Sequence, residues 1–286
     1  MRLLVVGADR VDAGKTTFAV GLAARLRAER SGDDLRVYKP RAGNDYWFDH
    51  DDVRRAIDEG RLYGKDVARL LDAAGSDAPH ETRNPIHRLW RPTPDTTGLL
   101  GESGRSFVVD RVTTPEGDQW VVNGEVDLPS PIRRALPLDD ARRVSSVREV
   151  NTAARDLHLP ALDRLAAQVR ESPLGGDAHG TTALVESYGD VALPLRDVRF
   201  DAVAAVDPGR CRVYDGDRWA IARDAAVGDR GDGTLEVSVS RVTEMLDPVS
   251  THALCPLTGG QRSAPDAVAE TYTDAYKSLV AQARKE

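Results

Sequence analysis

A glycine-bounded loop that ends in Gly-Lys-Thr-Thr is the first segment with side chains suited to chemistry. It runs from Gly7 to Gly14 and is followed directly by Lys15 and Thr16. Such a loop directs backbone N–H groups and a helix N-terminus at a phosphate, with the lysine on the β- and γ-phosphates and the hydroxyl on Mg²⁺. The nucleotide-binding residues predicted from it are Asp12, Ala13, Gly14, Lys15, Thr16 and Thr17.

The spacing of this loop differs from the common phosphate-binding pattern. Six residues separate Gly7 from Gly14, which is longer than the usual Gly-x-x-x-x-Gly-Lys arrangement. The alternative interpretation is a Gly-Lys-Thr helix start that holds no ligand. Because the loop stands between an apolar run and a helical pattern, we favour the nucleotide site.

The residues around the loop fit a strand–helix–strand unit. Residues 3–6 and 35–38 are apolar runs, and between them a large apolar residue recurs at every fourth position from Phe18 to Leu26. This order predicts two strands joined by a helix over 16–30, in a mostly parallel sheet that helices flank. The predicted fold class is therefore α/β, a P-loop NTPase with a β-hairpin insertion.

Periodicity and turn residues predict the remaining elements. We expect a hairpin near 106–123, where two apolar runs flank Thr-Pro-Glu-Gly-Asp, and a loop over 84–94, which contains three prolines. The other predicted helices cover 51–59, 65–74, 160–171 and 264–285, and the other predicted strands cover 182–186, 200–206, 211–214 and 235–242. No interdomain linker is evident, so we predict one domain over 1–286 with insertions near 103–135 and 210–233.

Composition argues against several classes of function. The chain of 286 residues has 39 basic and 46 acidic side chains and a pI near 5.5, which disfavours general affinity for nucleic acid. Its two cysteines, Cys211 and Cys255, lack the paired spacing of a zinc site and suit a reducing compartment. No apolar run approaches the roughly 18 residues needed to span a bilayer, so we expect a cytoplasmic protein that does not bind membranes.

Several separated motifs resemble those of dethiobiotin synthetase and its relatives among the P-loop ATPases. The loop is similar at Gly7, Asp9, Gly14, Lys15 and Thr16, although it is one residue longer here. The further similar segments, in chain order, are Tyr38-Lys39-Pro40, Asp66 at a helix start, Asn84-Pro85, Pro92-Thr93-Pro94 and Leu184-Val185-Glu186. The resemblance covers roughly residues 1–95 and 180–245.

The resemblance implies a role for each matching residue. Thr16, Asp66 and Glu186 would arrange Mg²⁺, which prefers oxygen ligands. Lys15 and Lys39 would be catalytic, with Lys39 facing the acceptor substrate and stabilising negative charge during transfer. The alternatives are an ordinary first-turn acid for Asp66, a strand-end acid for Glu186 and a solvated lysine for Lys39.

The chain departs from the family where the acceptor substrate would bind. A glycine-rich stretch of the family is Ser187-Tyr188-Gly189-Asp190 here, and no asparagine beyond Asn151 is present to recognise adenine, which leaves the base preference open. Candidate substrate residues are Gly43, Asn44, Ser187 and Tyr188, with Gly43 and Asn44 allowing the backbone to turn. The aromatic residues 46–48 beside His50 either clamp a cationic acceptor or pack on a sheet edge.

The function predicted is that of a Mg²⁺- and ATP-dependent P-loop ATPase of the dethiobiotin synthetase-like type. It would hydrolyse ATP or transfer the γ-phosphoryl group to a small carboxylate or carbamate acceptor. One alternative is a regulatory ATPase that is switched by its bound nucleotide and acts on a protein partner. Another is a dethiobiotin synthetase with an altered substrate pocket. The expected partners are ATP and the small acceptor, and the family suggests a homodimer.

Overall fold

The computed structural model describes residues 1–8, 14–29, 35–93, 101–102, 104–174, 180–227 and 236–285. The chain divides into two compact units. The first comprises Met1–Pro40, Ala68–Ala78 and Ala166–Glu286, and the second comprises Arg41–Val67 and Pro79–Leu165. The prediction of one domain with insertions stays a prediction, because compactness alone does not make a unit an independent domain.

The structure contains both strands and helices in each unit. The strands are β1 Arg2–Gly7, β2 Leu35–Tyr38, β3 Arg41–Asp45, β4 Ile86–Pro92, β5 Gly101–Glu102, β6 Arg105–Thr114, β7 Gly117–Asn123, β8 Arg142–Val144, β9 Thr182–Glu186, β10 Ala202–Asp207, β11 Arg210–Asp215 and β12 Ser250–Ala253. The helices are α1 Lys15–Glu29, α2 His50–Glu59, α3 Lys65–Ala74, α4 His80–Arg83, α5 Ser130–Ala135, α6 Val147–Ala153, α7 Leu159–Arg170, α8 Gly216–Val227, α9 Val239–Thr243, α10 Gly259–Ser263, α11 Pro265–Thr271 and α12 Thr273–Ala283. A π-helical turn, Ala154–His158, joins α6 to α7.

The sheet of the first unit has the strand order β12-β11-β10-β1-β9-β2. Strands β2, β9, β1 and β10 are parallel to one another, whereas β11 pairs antiparallel with β10 and β12 pairs antiparallel with β11. Its core is apolar because β1 is buried from Leu3 onward and Phe18 and Leu22 of α1 are fully buried. Helices α1 and α12 pack against these strands. The α/β class is confirmed, with a sheet that is mixed rather than uniformly parallel.

The start of α8 is a point of close backbone approach. A Cβ atom at Gly216 would overlap the carbonyl group of Phe200, which is backbone and cannot rotate away. We therefore expect Gly216→Ala to lower the free energy of unfolding by about 3 kcal/mol or more, the upper part of the range for overpacking. Gly259 is the matched control, because it also begins a helix and its Cβ would meet open space. Urea unfolding checks this; equal midpoints for the two alanine variants would contradict it.

The second unit has its own sheet in the order β3-β4-β6-β7-β8, with β5 paired to β6. Strands β6 and β7 form an antiparallel hairpin, so the predicted hairpin is confirmed. An apolar cluster that includes Leu89, Val109 and Val122 packs with helices α2 and α5. A separate cluster that includes Phe107 and Val121 packs with α6. The hairpin is thus part of a larger unit with a core of its own.

A buried ion pair joins two central strands of this second sheet. Arg88 donates through Nε and Nη2 to the two carboxylate oxygens of Asp110, at 2.6 Å each. His158 Nε2 lies 3.3 Å from Asp110 Oδ2, and the Arg88 guanidinium packs over the Phe107 ring. Burial by itself raises the pKa of Asp110, but the charges and hydrogen bonds of Arg88 and His158 together outweigh burial and hold that pKa well below its usual value.

Three sequence-based predictions of secondary structure are wrong. The predicted loop over 84–94 is wrong because β4 occupies Ile86–Pro92, and Pro94 lies outside the described residues. The described part of the predicted strand 235–242 contains helix α9, and Leu235 lies outside the described residues. The single closing helix over 264–285 is two helices, α11 and α12, that break at Tyr272.

Candidate functional site

The end of β1 and the start of α1 form the first wall of the candidate site. Gly14 has φ +82°, a left-handed conformation that favours glycine, and its carbonyl accepts the first helical hydrogen bond, from Phe18 N–H. Lys15, Thr16 and Thr17 follow in the first turn of α1 and are half-buried. The predicted contacts of Asp12 and Ala13 lie outside the described residues.

The end of β9 forms the second wall, directly beside β1. The two strands are parallel with Val5 opposite Glu186, and Ser187 N–H donates to the Val5 carbonyl at 2.9 Å. Parallel pairing brings the carboxyl ends of adjacent strands to the same edge of a sheet. The sheet register therefore carries Glu186 to the edge at which α1 begins.

Three side chains from three separate segments meet at this edge. Thr16 Oγ1 donates to Glu186 Oε1 at 2.6 Å, and Lys39 Nζ donates to the same oxygen at 2.6 Å. Lys39 Nζ is also 3.5 Å from Thr16 Oγ1. Glu186 is fully buried and Lys39 is 4% exposed. The alternative of a solvated lysine at position 39 is therefore wrong.

The Glu186 carboxylate has unused acceptor capacity. Its Oε2 atom is buried and has no hydrogen-bond partner among the residues that the structure describes. A buried carboxylate is costly unless its charge is balanced and its oxygens are bonded. The chemistry of this oxygen fits a hard cation such as Mg²⁺, which binds carboxylates and hydroxyls.

The loop that follows β9 contacts Lys15, the lysine at the start of α1. Lys15 Nζ donates to the Gly189 carbonyl at 2.6 Å. The buried Ser187 side chain closes the loop by donating to the Val191 carbonyl at 2.6 Å, and Tyr188 donates its hydroxyl to Glu236 Oε1 at 2.5 Å. No sequence motif predicts the roles of the Gly189 carbonyl and of Glu236, because neither a backbone carbonyl contact nor a surface acid far along the chain has a recognisable pattern.

The strand order also marks this edge as a ligand-binding position. The chain leaving β1 returns at β2, on the far side of β9, whereas the chain leaving β9 returns at β10, on the far side of β1. Connections that leave adjacent parallel strands in opposite directions open a crevice at their carboxyl ends, where ligands of α/β proteins bind.

The remaining predicted site residues lie in the second unit. Gly43 and Asn44 belong to β3, so they are extended and do not form the predicted turn. A Cβ atom at Gly43 would come within 3.0 Å of the Arg88 carbonyl oxygen, which gives that glycine a packing role. Asp66 is in the first turn of α3, and its part in a metal site stays a prediction.

The aromatic residues 46–48 of the second unit lie in two different environments. Tyr46 packs against the apolar cluster, as expected for a residue at a sheet edge. Trp47 and Phe48 are exposed, and the Asp45 carboxylate holds their backbone by accepting from both N–H groups. The Trp47 ring contacts the His50 ring edge-on, with centroids 5.6 Å apart.

Other kinds of site find little support in the described ranges. They contain no group of three or more His, Cys, Asp or Glu side chains that could hold a metal ion. Burial raises the pKa of the Cys211 thiol to about 12, so that thiol is protonated at neutral pH. No described helix has the length and apolar character required to cross a membrane.

Three comparisons with known proteins were made for this chain. A scan against protein-family models, a search of curated proteins and a search of solved structures each found no match. The resemblance to dethiobiotin synthetases therefore stays a prediction made from motifs, and the arguments for function come from the geometry at the ends of β1 and β9.

Proposed function

We propose that this protein is a Mg²⁺-dependent P-loop ATPase of the dethiobiotin synthetase-like type, which passes the γ-phosphoryl group of ATP to a small carboxylate or carbamate. The observation that carries the proposal is the 2.6 Å contact between Thr16 Oγ1 and Glu186 Oε1. These are two of the three residues to which the motifs assign the metal, and they come from segments 170 residues apart.

The triphosphate would be bound by the start of α1 and its lysine. The first-turn N–H groups of a helix attract anions, and Lys15 stands in that turn. Its ammonium, which donates to the Gly189 carbonyl, is close enough to the end of β9 to reach phosphates held in the crevice. Phosphoryl transfer requires mainly positioning and charge neutralisation, which these groups supply.

Thr16 and Glu186 would hold Mg²⁺, whose chemistry when bound is to neutralise charge on the β- and γ-phosphates. The unpartnered Oε2 atom of Glu186 supports this assignment. Lys39, at the carboxyl end of β2, would orient an anionic acceptor and balance its charge. Burial at this edge strengthens each of these electrostatic interactions.

Lys15→Ala is expected to weaken ATP binding by about 100-fold, because a hydrogen bond to a charged group contributes about 1.5–3 kcal/mol. Titration with a fluorescent ATP analogue in the presence of Mg²⁺ measures this. Lys277→Ala is the matched control, since Lys277 is an exposed lysine of α12. Unchanged affinity in Lys15→Ala would remove the phosphate-binding role from this loop.

The identity of the molecule that stimulates ATP turnover distinguishes the proposal from its alternatives. A pool of small metabolites should raise the rate of phosphate release from ATP if the acceptor is a small molecule. Diaminopelargonate with bicarbonate tests the strict synthetase, and we expect no product because Ser187, Tyr188 and Asp190 replace a glycine-rich stretch. Stimulation by a purified protein fraction alone would favour the regulatory ATPase.

A further inference from the structure

Two adjacent aromatic residues of the second unit point into solvent. Trp47 is 63% exposed and Phe48 is 75% exposed, whereas the preceding Tyr46 packs against the apolar cluster. Single exposed apolar residues are ordinary on a protein surface, but neighbouring aromatic rings provide the kind of contact area that is enriched in protein interfaces. We call the pair Trp47 and Phe48 the aromatic tip.

The turn that carries the aromatic tip is held by hydrogen bonds. Asp45 Oδ1 accepts from the backbone N–H groups of Trp47 and Phe48, at 2.8 and 3.1 Å. Asp49 Oδ2 accepts from the Asp45 N–H at 2.7 Å, and the Asp49 N–H donates to the Asp45 carbonyl at 3.1 Å. A turn that is already ordered loses little conformational entropy when a partner binds. The two rings are therefore suited to anchor a partner.

The charge around the aromatic tip is negative. Residues 45–52 contain four aspartates and neither lysine nor arginine. Two of the four, Asp49 and Asp52, form ion pairs with cations of this unit. Asp45 and Asp51 form none within the described part of the chain, and Asp51 is exposed. This unbalanced charge attracts a cationic partner and repels an anionic one.

Two other aromatic rings of this unit are covered by arginine side chains. The guanidinium carbons of Arg88 and Arg105 lie 5.1 and 4.3 Å from the centroid of the Trp90 ring. The guanidinium carbon of Arg61 lies 4.9 Å from the centroid of the Tyr63 ring. A planar guanidinium stacks on an aromatic face and is attracted by the electrons of the ring. No arginine among the described residues lies over the aromatic tip, so its rings are open to one from another molecule.

We propose that the aromatic tip binds an arginine-bearing segment of another protein. A guanidinium of that segment stacks on the exposed Trp47 ring, its apolar stem packs on Phe48, and the neighbouring aspartates balance its charge. Because both rings are more than half exposed, they offer an open contact surface, whereas a small free cation needs a pocket that surrounds it. The inference concerns a surface that the proposed ATPase chemistry does not use.

A fluorescein-labelled peptide of alternating arginine and glycine tests the inference on the full chain by fluorescence anisotropy. The control peptide carries citrulline in place of arginine, which keeps the shape of the side chain but removes its charge. We expect the arginine peptide to bind wild-type protein at least about tenfold more tightly than the citrulline peptide. Equal binding of the two peptides, or no binding of the arginine peptide, overturns the inference.

A double variant, Trp47→Ser with Phe48→Ser, removes both rings and keeps every charge. It therefore separates binding at the aromatic tip from the general attraction between a basic peptide and an acidic protein. We expect it to bind the arginine peptide about tenfold more weakly than wild type does. The matched control is Ile221→Ser, which removes a 70% exposed apolar side chain from the first unit and should leave the affinity unchanged. Wild-type affinity in the double variant overturns the inference.

Other occupants of the aromatic tip give different results. Binding of wild-type protein to phosphatidylcholine vesicles that is lost in the double variant would assign the two rings to a membrane surface. A wild-type dimer that the double variant fails to form, measured by analytical ultracentrifugation, would assign them to a second copy of this chain. Either result overturns the inference.

Discussion

Replacing Glu186 by glutamine is expected to have the largest combined effect on stability and activity. The substitution keeps the size of the side chain but removes the negative charge that lies 2.6 Å from the 4% exposed Lys39 ammonium. Removing one member of a buried ion pair costs about 3–5 kcal/mol in the free energy of unfolding. It also removes the carboxylate that accepts a hydrogen bond from Thr16 Oγ1, so Mg²⁺-dependent ATP turnover should fall by about 100-fold or more.

Asp207→Asn is the matched control for Glu186→Gln. Asp207 ends β10, another parallel strand of the same sheet, but it pairs with Arg210 and Arg212. We expect this variant to retain Mg²⁺-dependent ATP turnover. Urea unfolding and phosphate release, measured for both variants, check the prediction. Normal turnover in a folded Glu186→Gln protein would show that this carboxylate does not hold the metal.

Asp110→Asn is expected to destabilise the second unit strongly. It leaves Arg88 and His158 facing an uncharged group at the centre of the sheet. We expect a loss of about 3 kcal/mol in the free energy of unfolding, at the lower end for buried pairs because the Arg88 side chain is 27% exposed. Hydrogen exchange of peptides from β4 and β6 would report the loss within this unit.

The effect of Asp110→Asn should depend on pH in a defined direction. Because the folded-state pKa of Asp110 is lowered, its stabilising contribution is complete above the unfolded-state pKa of about 4 and is lost as the pH falls through the lower folded-state value. The stability gap between the variant and wild type should therefore be constant from pH 7 to about pH 5 and should shrink below about pH 4. Asp156→Asn, from the exposed pair with Arg142, should show a gap of at most about 1 kcal/mol. A gap for Asp110→Asn that widens in acid would contradict this account.

The local sequence patterns predicted the strands β1 and β9 and the helix α1 that border the candidate site. The apolar run at the start of the chain became β1, and Phe18 and Leu22, four residues apart, became buried positions of α1. A buried strand that ends in an acid predicted β9 and Glu186. These elements were predictable because the periodicity of their apolar residues and the residue types at their ends indicate the same kind of element. Their meeting at one sheet edge follows from parallel pairing.

Strand β4 could not be predicted because proline and charge obscured its pattern. Pro85 and Pro92 stand immediately before the strand and at its last position, where proline is compatible with a sheet. Arg88 occupies an interior position of the strand, which its ion pair with Asp110 makes possible. A partner that lies on another strand is not visible in the local sequence.

The prediction of a strand over 235–242 failed for a different reason. Its valines alternate with polar residues, which indicates a strand. The pattern also fits a helix, because Val239 and Val242 are three residues apart and both are buried on one side of α9. Among the described residues of this segment, only Ser238 has strand pairing, in a short bridge with Val191. Where a short apolar pattern fits both the strand period and the helix period, tertiary packing determines which element forms.

The division of the chain into two interleaved units has a genetic consequence. The polypeptide passes between the units after residues 40, 67, 78 and 165. No uninterrupted stretch of coding sequence therefore specifies either unit, and a gene fragment for 41–165 would carry 68–78 of the other one. Neither unit could be transferred to another gene as one continuous coding segment, because the separate stretches that encode it would have to be rejoined.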